Sequence, residues 1–234
     1  MYHQDLILLC LNIKLFILSK KTISMSIITL FNYFKRPEQY LPLVNVLNQI
    51  KTGKYRKLIQ DLRSYYEEDL GSDYDAQLRV IPRFSVSGNF RMRDDQLKAI
   101  SYSGNLLLEI PYLNSNDLKA VKMLLSNDPF VLACFENALG TGLVLIIKSN
   151  SKMSEHKLMF KCAVRYYQKL TGVNRFAADG EDYDHMVMVS LDAYTYIAKE
   201  AVPFPNHLKA VIAYFIEQLV SLIRNCHNLK GLSF

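Results

Sequence analysis

Residues 130–172 read FVLACFENALGTGLVLIIKSNSKMSEHKLMFKCAVRYYQKLTG, and the fold follows from this stretch. Phe130 to Phe135 is a short apolar run with strand character. Asn137 to Gly142 carries two glycines and reads as a turn, and Leu143 to Ile147 is continuously apolar, as expected of a strand buried on both faces. Glu155 to Leu170 then switches to helical spacing and stops at Gly172. Strand, tight turn, strand and helix in this order predict an antiparallel sheet with a helix laid across it.

Working outward, Ile100 to Ile110 is strand-like, is broken at Ser103-Gly104, and ends in the apolar run Leu106-Leu107-Leu108. Asn116 to Leu125 is a short amphipathic helix with Ser115 as its expected cap. Leu78 to Phe90 holds Pro82 and Gly88 and reads as extended pieces around a turn. Leu41, Leu43, Val44, Val46, Leu47 and Ile50 predict a helix over Pro37–Gly53. Tyr55, Leu58, Ile59, Leu62 and Tyr66 predict a second, over Lys54–Leu70, ended by Gly71. Asn174 to Asp184 is a polar loop, Met186 to Val189 a strand, and Pro205 to Leu229 a closing helix with a broad apolar face. The expected architecture is one α+β domain with a mainly antiparallel sheet and its helices on one side.

Half of the 234 residues are hydrophobic and 21% are charged, which excludes a largely disordered chain. The net charge of +6 permits a nucleic-acid or other anionic partner without demanding one. Cys10, Cys134, Cys162 and Cys226 form no CxxC pair, so a zinc site or disulfide framework is not expected, and a reducing cytoplasm fits. The first residues form a separate segment, 1–24. Leu6 to Leu18 is apolar but interrupted by Asn12 and Lys14, too short for a relaxed span, and followed rather than preceded by Lys20 and Lys21. Translation from Met25, an N-terminal anchor and a core element all remain open for it; a polytopic membrane protein is not expected.

The charge is concentrated. Lys157, Lys161, Arg165 and Lys169 recur every four residues on the expected helix. At about 100° per residue each step drifts only about 40°, so the four share one stripe opposite Phe160, Ala163, Val164 and Tyr167. A stripe of one sign repels itself and fits a nucleic-acid backbone; a solvated face is the alternative. Arg91 and Arg93, with Arg79 and Arg83, extend the basic surface. Asn137, Gly140, Thr141 and Gly142 could bring backbone close to a phosphate or simply make a hairpin turn, since neither a P-loop nor a dinucleotide fingerprint is present. Asp179, Glu181, Asp182 and Asp184 could hold Mg²⁺ or line a polar surface loop.

Several short segments in order resemble the N-terminal domain of virulence-associated E (VirE-type) proteins. They are Leu78-Arg79-Val80-Ile81-Pro82 with Ser87-Gly88-Asn89-Phe90, Tyr102 to Pro111, and Asn127-Asp128-Pro129 with Ala133 and Phe135. Asn137 to Val144, Ser190-Leu191-Asp192 and Ala201-Val202-Pro203-Phe204 complete the series. The resemblance covers roughly residues 26–205 and implies an RRM-like, primase-polymerase-like core of a replication module on a bacterial mobile element. In such a core two strand carboxylates hold Mg²⁺ or Mn²⁺. Here the first is Glu109, the second position is Pro111, the basic residue after the glycines is Val144, and an arginine position is His185. The resemblance therefore implies a scaffold without catalysis, with DNA or RNA and a replication helicase or primase as partners. The competing expectation is an active nucleotidyltransferase in which Glu109 joins Asp182 or Asp184. A protein-interaction module or remnant of a longer replication protein is a third.

Overall fold

A computed structural model describes residues 26–32 and 36–205. The 1–24 extension and the expected 206–234 C-terminal helix lie outside the described residues. Within them the elements run β1 Ile27–Phe31, β2 Pro37–Pro42, α1 Leu43–Thr52, α2 Arg56–Glu67, α3 Gly71–Val80 and β3 Arg83–Ser85. There follow β4 Gly88–Arg93, β5 Gln96–Tyr102, β6 Leu106–Ile110, α4 Ser115–Ser126, β7 Val131–Glu136, β8 Leu143–Ile147, α5 His156–Thr171, β9 Met186–Met188 and β10 Tyr196–Ile197. The class is α+β with antiparallel sheets, as expected, but the strands are shared among three sheets. One has the order β2-β1-β3-β9, the second β10-β7-β8-β6, and β4-β5 is a separate two-stranded ribbon.

The second sheet is built by the stretch that the sequence singles out. Its strands are apolar on both faces because both faces are covered. Leu106, Leu108, Ile110, Leu143, Leu145 and Ile147 pack with α4 and α5. The alternate residues Leu107, Ala133, Phe135, Val144 and Ile146 join the first sheet and helices α1 and α2 in another core. Phe84 of the first sheet stacks on Phe135 of the second, with centroids 6.4 Å apart. Helices therefore lie on two sides of the sheet rather than one.

The β6-α4-β7-β8-α5 order is that of a split βαβ unit. Its closing strand sits unusually: β10 pairs with β7. The free edge of β6 is instead followed by irregular chain, where Ala177 N–H donates to Glu109 C=O at 2.9 Å. Gly180 lies so near this edge that an added Cβ would stand 2.2 Å from Leu107 O and 2.6 Å from the Phe160 ring. Backbone cannot yield as a side-chain tip can. Gly180→Ala should therefore cost about 1–3 kcal/mol, the range for overpacking, visible as a lower denaturation midpoint in urea.

Local differences from expectation have physical causes. Residues 37–42 form β2, not the first turn of a helix. Pro42 drives Leu41 into extended backbone, and β2 lies at the sheet edge, where proline is tolerated. Helix α3 buries none of its residues, so it carries no apolar stripe to read. The cap of α4 is Asn114, whose side chain accepts from the N–H groups of Asn116 and Asp117, and not Ser115. Cys134 is a buried free thiol, pushed up to about 12 by burial, and Cys162 is also free.

Candidate functional site

Helix α5 organises the site. His156, Met159, Phe160, Ala163 and Tyr167 form its buried face. Lys157, Lys161, Arg165 and Lys169 are all exposed on the opposite side, so the stripe expected from the four-residue repeat exists. Its C-terminus is closed by Gly172 in the left-handed conformation, φ 72°, with an N–H to Gln168 C=O. Its start is fixed by His156, which holds two segments at once. Nε2 lies 3.1 Å from Gly180 C=O, and Nδ1 lies 2.8 Å from the Tyr102 hydroxyl. A carbonyl only accepts, so Nε2 carries the proton and Nδ1 accepts from Tyr102. Burial lowers the His156 pKa, which keeps this neutral arrangement, against smaller opposing effects of the Gly180 hydrogen bond and Asp182.

The stripe has an acidic neighbour. Glu181, in the 3-10 turn Asp179–Glu181, reaches Lys157 Nζ at 2.8 Å with Oε2 and Lys161 Nζ at 3.4 Å with Oε1. The Lys157 hydrogen bond holds the Glu181 carboxyl below its usual range, and the same bond raises Lys157. Read in sequence as one of four acids in a polar loop, Glu181 is instead a direct partner of two stripe cations.

Arg91 and Arg93 stand exposed on β4. Arg91 is registered with Lys98, and Arg93 with Gln96, so these four residues share one face of the ribbon. Arg93 also meets Asp94 at 3.8 Å. Lys98 was not singled out in sequence, although the alternation of Gln96 to Tyr102 carries the signal.

Glu109, Asp182 and Asp184 are not gathered into a metal-holding group; among the described residues there is no cluster of three His, Cys, Asp or Glu that could hold one. Glu109 Oε1 lies 3.3 Å from His185 Nε2, both about one quarter exposed. This pair ties β6 to the start of β9. The neighbouring positions on that sheet face, Leu107, Val144 and Phe135, are buried core. One carboxylate beside an imidazole does not fit a site for two-metal phosphoryl transfer, which needs at least two carboxylates converging on the metals.

The glycine turn is satisfied from within. Asn137 C=O accepts from Gly140 N–H at 3.0 Å, and Asn137 Oδ1 accepts from Thr141 N–H at 3.1 Å. Two N–H groups that a phosphate would use are thus already spent. Gly140 takes φ 74°, and a side chain there would crowd Arg63. Arg63 was not anticipated: it donates to Ala138 C=O at 3.0 Å and Leu191 C=O at 3.2 Å, clamping the turn to the segment after β9. Gly142 lies against Ile110 O, where a Cβ would meet backbone at 2.3 Å. The turn's glycines serve this packing.

Beyond it, Asp192 is almost wholly buried and paired with Lys122 of α4. It also accepts from the N–H groups of Glu136 and Tyr194, each at 2.9 Å. This knot fastens residues 190–195 between α4 and β7. No helix among the described residues is long and apolar enough to cross a membrane.

The model of one family, described as BT4734-like, N-terminal domain, matches residues 76–196, just over half of the chain. The matched span runs from α3 to β10 and contains α5, the ribbon and the glycine turn. No curated protein and no solved structure matches the chain.

Proposed function

From the premise that the chain belongs to the BT4734-like N-terminal domain family, we propose that it is a non-catalytic, primase-like domain that binds the backbone of DNA or RNA. The observation that carries the reading is the exposed stripe Lys157, Lys161, Arg165 and Lys169 on α5. Successive cations are separated by about 6 Å along the helix axis, at about 1.5 Å per residue. A row of this kind reads charge and not base identity, so the binding is sequence-tolerant and strongly salt-dependent. The basic ribbon face of Arg91, Arg93 and Lys98 adds a second cationic surface of the same kind.

The absence of catalysis rests on the residues at the expected metal positions. Glu109 is engaged with His185, Pro111 offers no carboxylate, and Val144 offers no cation for a nucleotide phosphate. The resemblance of residues 26–205 to VirE-type proteins supports a role in the replication module of a bacterial mobile element, in the cytoplasm, with a helicase or primase as partner. The chain should bind labelled DNA or RNA at low salt, measured by fluorescence anisotropy, and Glu109→Ala should bind equally well. Mg²⁺-dependent primer synthesis by the native chain, lost in Glu109→Ala, would instead establish a nucleotidyltransferase.

A further inference from the structure

Lys157 and Lys161 share one carboxylate, and we infer that Glu181 is a built-in competitor that occupies the phosphate-binding position of these two lysines. The inference rests on the nucleic-acid reading above and assigns that surface its internal regulation. Both carboxylate oxygens of Glu181 are used, one on each ammonium, at 2.8 and 3.4 Å. A backbone phosphate presents a similar anionic oxygen pair, so both ligands need the same donors.

The competitor is held in place by its backbone rather than by the lysines. His156 donates to Gly180 C=O, one residue before Glu181. Gly180 itself is wedged against Leu107 O and the Phe160 ring, with no space for a side chain. Two residues further back in the strap, Ala178 C=O accepts the Glu181 N–H at 2.9 Å. The strap therefore stays seated while the Glu181 side chain, on the rim, can swing from the lysines. The lysines are themselves largely exposed, 64% and 50%. With their cations this exposed, although Glu181 itself is half-buried, the pairs can be exchanged for a polyanion that offers several phosphates at once. Glu181 keeps Lys157 and Lys161 engaged for part of the time in the native complex, so both the affinity and the mean number of phosphate contacts are set below what four cations could give.

The test compares the full chain with Glu181→Gln and Asp179→Asn on labelled double-stranded DNA across a salt series. Asp179 is exposed on the same turn, so its variant makes the same change in net charge without releasing a lysine. Glu181→Gln should tighten binding several-fold and steepen the slope of log affinity against log salt by about 1–2, one increment per added phosphate contact. Asp179→Asn should leave the slope unchanged. Lys157→Ala should cost more in the Glu181→Gln background than in the native chain. Identical affinity and slope for Glu181→Gln and the native chain, or for Glu181→Gln and Asp179→Asn, would overturn the inference while leaving the binding surface intact. No binding by the native chain or Glu181→Gln at the lowest salt would overturn both, and binding by Glu181→Gln alone would support the competitor. Little change in thermal unfolding is expected to accompany the gain, since ion pairs whose cations are half or more exposed contribute little to stability.

Discussion

Changing Lys157, Lys161, Arg165 and Lys169 together to glutamate should weaken binding to DNA or RNA by about 100-fold or more at low salt. Each substitution removes an attractive charge and adds a repulsive one, so the effect on a polyanion is larger than simple deletion. The fold should survive, because all four side chains are exposed while the packing of α5 rests on Met159, Phe160, Ala163 and Tyr167. Circular dichroism checks that point, and anisotropy reads the binding. A variant that folds and binds as well as the native chain would reduce the stripe to a solvated face. Helical content will not fall for want of Lys–Glu pairing along α5, since Glu181 lies outside that helix.

Asp192→Ala is expected to have the largest effect on stability, about 3–5 kcal/mol, the range for breaking a buried ion pair. The Lys122 side chain is only 12% exposed and that of Asp192 only 1%. Removing the carboxylate leaves an ammonium with little water and strips the acceptors from the Glu136 and Tyr194 N–H groups. Loss of the whole knot also frees residues 190–195 from α4 and β7. For a chain of this size each kcal/mol moves the melting temperature by about 2–4 °C, so a fall on the order of 10 °C is expected by calorimetry. Lys122→Met together with Asp192→Leu should recover part of it, because a buried pair replaced by apolar groups carries no stranded charge. A melting temperature unchanged in Asp192→Ala would show that water reaches the site and relieves the lysine.

What could be read in advance follows from what periodicity encodes. The run from Phe130 to Gly172 gave strand, turn, strand and helix because β7, β8 and α5 each bury a regular pattern of apolar residues. Helix α3 buries nothing, and β10 is two residues long, so neither leaves a pattern. The split into three sheets depends on which strands pair across 50 residues or more, as in Leu30 with Phe84, and local sequence does not encode that. The site divides in the same way. The α5 stripe was legible because its four cations are spaced by the helix itself. The engagement of Glu181 with that stripe, of Arg63 with the glycine turn and of Glu109 with His185 was not, since each joins segments distant in sequence. The same long-range contacts take the candidate acids out of a common metal site: Glu181 turns to lysines, and Glu109 to a histidine.

The most direct measurement is the salt dependence of binding by the native chain to double-stranded DNA. Up to four phosphate contacts, each worth a slope of about −0.9, would give about −3.6; with two lysines shared with Glu181, the native chain should show a shallower log–log slope of about −2 to −3. A slope near zero, or no binding at the lowest salt by either the native chain or Glu181→Gln, would contradict a domain that grips nucleic acid by its backbone.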